Sequence, residues 1–117
     1  MTIMFSDVRG FTTISETYTH DPQGLTQLMN RFLTPVTNAI VARNGTIDKY
    51  MGDAVMAFWN APLDDPAHQC NACHAALDVL ARVTELNRVR EQEASTNGHL
   101  FVPIKMGIGI NSGTCAV

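Results

Sequence analysis

The sequence predicts an α/β (α+β) sandwich: one mostly antiparallel sheet with helices packed on it. Three observations carry that prediction. A short apolar run opens the chain, two long stretches place apolar residues at helical spacing, and a late segment, "VPIKMGIGIN", alternates apolar and other residues strictly. Period two marks a strand buried on one face, and a period near 3.6 marks a helix with one buried face.

Taken in order, residues 2–6, "TIMFS", form a short apolar run bounded by Asp7 and Gly10, a buried strand. Thr13 with Glu16 three residues on is a capping-box pattern for a short helix. Asp21 and Pro22 then supply an N-cap and first helical position. Leu25, Leu28, Met29, Phe32, Val36 and Ile40 follow as the inner stripe of a long amphipathic helix. Pro35 lies inside it and is expected to kink it.

Asn44-Gly45 ends that helix. Two runs rich in β-formers flank Met51-Gly52 and read as a tight hairpin. Asp65-Pro66 opens another helix, with Cys70, Cys73, Leu77 and Leu80 as its expected inner stripe, widened by Ala76 and Val83. Polar "EQEASTNGH" is expected to end it. Val102, Ile104, Met106, Ile108 and Ile110 then form the alternating strand, and "GINSGTCAV" runs into the start of another. Helices inserted between paired strands give a ferredoxin-like sandwich with the helices on one side, truncated at its C-terminal side.

The bulk composition narrows the function classes. The chain has 117 residues, 45% hydrophobic and 16% charged, with a net charge of −3. That suits one globular domain. Lysine and arginine total only 8 and are scattered, so no nucleic-acid surface is expected. No apolar run approaches the ~20 residues of a membrane span, and no signal peptide is expected in the opening residues. Three cysteines argue against a disulfide framework and fit a reducing compartment. The abrupt ends suggest a piece of something longer.

Two aspartates stand out by position. Asp7 ends the first strand and Asp53 follows the hairpin glycine. If that strand lies beside the hairpin, both carboxylates emerge at one sheet edge, where they repel each other unless a cation sits between them. Mg²⁺ takes hard oxygen ligands and binds through one or two carboxylates plus substrate phosphates. Val8 to Thr12 leads into a helix N-terminus whose N–H groups, uncrowded at Gly10, suit phosphate oxygens. Each motif alone is more simply read as an ordinary turn, since Asp and Gly are common turn formers.

Together the motifs say more. "FSDVRGFT" followed by "NGTIDKYMGDAVMAFWNAP", with "MNRFLTPV" and "KMGIGINSG", resembles the class III nucleotidyl cyclases, the catalytic domain of adenylyl and guanylyl cyclases. The likeness spans essentially the whole chain. It implies that Asp7, Asp53 and the Val8 carbonyl bind two Mg²⁺ or Mn²⁺ ions, with Asp7 and Asp53 as catalytic residues. It further implies that Val8, Gly10, Phe11 and Thr12 hold the triphosphate. The implied reaction turns ATP into 3′,5′-cyclic AMP and pyrophosphate by attack of the ribose 3′-hydroxyl on the α-phosphorus.

Lys49, four residues before Asp53, is similar to the adenine-selecting lysine of adenylyl cyclases. Adenine N1 accepts and guanine N1 and N2 donate, and lysine has only donors. The resemblance also implies a head-to-tail homodimer with the site between its two copies. A cytoplasmic location follows, with any sensor or membrane domain lying upstream. The second base-contacting Asp and the transition-state Asn and Arg of the family fall beyond residue 117, so this piece alone is expected to be inactive. Two alternatives stay open: a guanylate cyclase, and a catalytically incompetent homology domain that binds nucleotide or dimerises to regulate a partner. A GGDEF-type diguanylate cyclase lacks support, since no such turn occurs. "CNACH" matches a haem-attachment pattern, but it falls within a helical stretch, where buried cysteines acting as small hydrophobes are the expectation.

Overall fold

A computed structural model describes residues 1–98 and 101–114. Its elements are β1 (Thr2–Arg9), α1 (Phe11–Glu16), α2 (Pro22–Ala42), β2 (Thr46–Met51), β3 (Ala54–Trp59), α3 (His68–Asn97) and β4 (Lys105–Ser112). The strands form one antiparallel sheet in the order β2-β3-β1-β4. This is the ferredoxin-like sandwich expected from the sequence. The start of a further strand, at "TCAV", falls largely outside the described residues.

Alternation in β1 divides the sheet into two faces. Thr2, Met4, Ser6 and Val8 are buried under α2 and α3, whereas Phe5 and Arg9 are exposed on the other, open face. β3 adds Val55, Ala57 and Trp59 to the covered face. Trp59 is fully buried, and its indole Nε1–H donates to the Arg43 carbonyl at 2.8 Å, so the polar edge of the ring costs nothing inside the core.

α2 starts as expected: the Asp21 carboxylate accepts from Gly24 N–H at 3.0 Å, with Pro22 at the first helical position. Leu28, Phe32, Val36, Ala39 and Ile40 form its buried stripe. The helix runs on through Pro35, whose carbonyl accepts from Arg82 of α3. Asn44 takes the left-handed conformation after the helix, and Gly45 N–H returns to the Ile40 carbonyl. A Cβ at Gly45 would meet Ile40 at 2.5 Å and the Trp59 ring at 2.8 Å, so close packing demands glycine there.

Five expectations change. β1 extends past Asp7 to Arg9, because pairing with β4 continues to the Arg9–Lys105 pair. The Thr13–Glu16 capping box does not form: α1 begins at Phe11, after left-handed Gly10, without a side-chain cap. α3 begins at His68, not at Pro66, and continues through most of the polar "EQEASTNGH" to a left-handed Gly98. Asp65 instead organises the approach, its carboxylate accepting from Ala67 N–H and from Asn71 Nδ2.

The fourth change is the phase of α3. Ala72, Ala75, Val79 and Val83 are buried, while Cys70 and Cys73 are exposed and Leu77 and Leu80 are 63% and 43% exposed. Small alanines let the helix lie close to the sheet and to α2, so its packing follows size rather than hydropathy. The buried-cysteine expectation fails for the same reason.

β4 begins at Lys105, three residues later than the alternation suggested. Before it, the Asn87 side chain donates to the Ile104 carbonyl at 2.7 Å and accepts from its N–H at 2.8 Å. No helix among the described residues is long and apolar enough to cross a membrane.

Candidate active site

The β2–β3 hairpin turns at Gly52, whose φ of 62° favours glycine, and Asp53 follows. β3 then pairs with β1, Ser6 opposite Val55, which brings the turn alongside the end of β1. There Asp53 Oδ2 accepts a hydrogen bond from Val8 N–H at 2.9 Å. Asp53 is thereby fixed beside the peptide that follows Asp7, with its second oxygen left over for another partner.

Asp7 points the other way round the strand from Ser6 and Val8, onto the open face, and is half-buried. Among the described residues, no hydrogen bond or ion pair engages its carboxylate. Two carboxylates thus flank one peptide, one braced and one uncommitted. Oxygen-only donors of this kind fit a hard divalent cation. No third His, Cys, Asp or Glu joins them among the described residues, so a cation held there would need further oxygens from backbone carbonyls, water or a bound ligand.

Gly10 is left-handed, with φ 66° and ψ 31°, and turns the chain from β1 directly into α1. The N–H groups of Phe11 and Thr12, in the first turn, have no intrahelical acceptor. Val8, Gly10, Phe11 and Thr12 therefore lie on one short stretch of backbone, residues 8–12, that begins at the Asp53 contact.

Lys49 does not join this group. It is exposed in β2 opposite Met56, which in turn lies opposite Phe5, so it stands two strands from β1, about 10 Å away laterally. A register irregularity between Ile47 and Lys49 aims it onto the open face. A cavity of about 650 Å³ lies elsewhere, between Tyr18, Arg31, Arg90 and Phe101.

Two neighbours of Asp7 were missed from sequence. Gly107 lies opposite it in β4, and the Arg9 side chain occupies space beside both. The available signals were Arg9's position two residues along the same strand and a glycine inside a strand, which marks close approach.

A four-stranded antiparallel sheet with helices packed on it is also the architecture of adenylate and guanylate cyclase catalytic domains. The chain belongs to the adenylate and guanylate cyclase catalytic domain family, whose model matches residues 1–117. It is 34% identical over its whole length to adenylate cyclase 1 of Rhizobium meliloti (strain 1021) and spans 16% of that protein. It is 37% identical over 97% of its length to an adenylate cyclase of Anabaena cylindrica, spanning 21% of it. The crystal structure of the guanylyl cyclase Cya2 superposes with a TM-score of 0.79 at 31% identity, covering 96% of this chain and 53% of that one. The chain thus spans about a fifth or less of these two curated relatives.

Proposed function

We propose that this chain is part of an adenylate cyclase catalytic domain that converts ATP to 3′,5′-cyclic AMP and pyrophosphate. The observation that carries the reading is the Val8–Asp53 hydrogen bond, which holds the second acid beside the first. Asp7 and Asp53, with the Val8 carbonyl, hold two Mg²⁺ or Mn²⁺ ions. When bound, these ions supply Lewis acidity toward the ribose 3′-hydroxyl and charge neutralisation for the departing pyrophosphate. The backbone of Val8, Gly10, Phe11 and Thr12 orients the triphosphate. Nucleophile and target belong to one substrate molecule, so this positioning supplies much of the rate.

Lys49 selects the base as a donor to adenine N1. Its distance from Asp7 within one chain supports a head-to-tail homodimer in which one copy supplies the acids and the other the lysine. The open sheet face, with exposed Phe5 and Met51, supports the same assembly as a surface for a second copy to cover. Relatives named adenylate cyclases favour ATP, whereas the likeness to a guanylyl cyclase structure leaves the choice of base resting on Lys49.

The test is product identification with the intact protein, Mn²⁺ and either ATP or GTP. Cyclic AMP from ATP is expected. Cyclic GMP alone would reassign the base, and no product from either would reject the enzymatic reading in favour of a regulatory homology domain. Asp7→Ala is expected to abolish turnover while the thermal transition stays cooperative.

A further inference from the structure

Gly107 stands directly across from Asp7 in the β1–β4 ladder. A Cβ on it would lie 2.8 Å from Asp7 Oδ1 and 2.8 Å from Arg9 Nη2, with Arg9 Nε nearer still. The notch left by the missing side chain is thus shared by a carboxylate and a guanidinium from one strand. Arg9 has reason to turn that way: its register partner is Lys105, and like charges directly opposite each other are unfavourable. Among the described residues Asp7 and Arg9 close no ion pair, so the carboxylate stays available.

We propose that Arg9, seated over Gly107, is a positioning residue that makes the acid pair take up its divalent cation together with a polyphosphate rather than alone. This rests on the reading of Asp7 and Asp53 given above. Two carboxylates by themselves attract a bare dication strongly. A guanidinium beside Asp7 offsets part of the pair's negative charge, which weakens the pull on a free dication and strengthens the pull on an anionic nucleotide–cation complex. The site then stays open until the nucleotide arrives, and Arg9 fixes the order of loading without touching the reacting atoms.

The experiment measures Mn²⁺ uptake by the intact protein through the paramagnetic resonance signal of free Mn²⁺. One titration uses Mn²⁺ alone and the other Mn²⁺ with 3′-deoxy-ATP, which cannot cyclise. Arg9→Gln is expected to tighten binding of Mn²⁺ alone by about 5- to 10-fold and to weaken uptake with the nucleotide by a similar factor. Arg9→Lys is expected to return both toward wild type, a rescue that lost packing would not produce. Equal affinities for wild type and Arg9→Gln, with Mn²⁺ uptake still abolished by Asp7→Asn, overturn the role of Arg9 and leave the acid-pair reading standing. A wild-type protein that takes up no Mn²⁺ in either titration overturns that reading itself, and the role of Arg9 with it.

Discussion

Asp53 and Val8 are joined by a 2.9 Å hydrogen bond from main chain to carboxylate, across 45 residues of sequence. The bond uses one oxygen of Asp53 to brace the turn and frees the other. It separates two properties of Asp53 that are usually lost together, its charge and its hold on β1.

Asparagine at position 53 keeps an oxygen acceptor for Val8 N–H but not the charge. Asp53→Asn is therefore expected to unfold close to the wild-type temperature while losing a hundredfold or more of its turnover, on the order of what removing a charge-stabilising group costs. Asp53→Ala loses both and is expected to be less stable by about 1 kcal/mol, because the Val8 N–H is left without its partner. Thermal unfolding beside a product assay separates the two; equal destabilisation by both variants would show that the bond does not brace the turn.

Lys49→Glu replaces a pure donor with a pure acceptor on the open face. The expected outcome is a fall in kcat/KM for ATP with a relative gain for GTP, and little change in melting temperature because the residue is exposed. Competition between the two nucleotides, with both cyclic products quantified, reads the ratio directly. An unaltered ratio would remove Lys49 from base selection.

The phase of α3 makes a stability prediction that runs against hydropathy. Leu77→Gln is expected to change stability by less than about 0.5 kcal/mol, because Leu77 is 63% exposed. Val79→Ala removes less apolar volume from the sequence but is expected to cost about 2 kcal/mol, because Val79 is fully enclosed. Denaturant titrations of the two variants decide it, and the reverse order would place the leucines inside.

Asp78 of α3 receives a hydrogen bond from Arg43 Nε at 2.9 Å, which is the main cause holding its carboxyl below the ordinary range; attraction to Arg43, Arg82 and His74 adds to this against an opposing cost of burial. A carboxyl depressed in the folded state stabilises the fold at pH values above its unfolded pKa, and the stabilisation disappears as pH falls through the lower folded value. Asp78→Asn is expected to lower the melting temperature slightly at pH 7, since both side chains are partly exposed. The gap should narrow as pH falls below the usual carboxylate range, and a gap that persists at low pH would exclude the ion pair as its source.

The fold was legible where a signal is local and its chemistry unambiguous. Asp21-Pro22 names a helix start whatever surrounds it, and Gly52 names a turn because few residues accept its backbone conformation. The alternation from Met106 to Ile110 marked a strand, although its start was read early, where Asn87 pairs with Ile104 in the manner of a neighbouring strand. The phase of α3 was not legible: Cys70, Leu77, Ala72 and Val79 are all acceptable core residues, and only the closeness of α2 and the sheet decides which of them face inward. The two aspartates could be paired because a strand end and a hairpin turn have few ways to meet. Arg9 and Gly107 could not, since their relation depends on the β1–β4 register, which no single segment encodes.

The amide of Asn87 grips both polar groups of the Ile104 peptide, and ahead of it Arg90 Nη1 holds the Val102 carbonyl at 2.9 Å. These two clasps close the far end of α3 and its return into a staple whose legs are anchored before β4 begins. Additions or deletions of chain beyond the clasps are expected to be absorbed there without sliding β4 along β1, leaving the alignment of Gly107 with Asp7 unchanged.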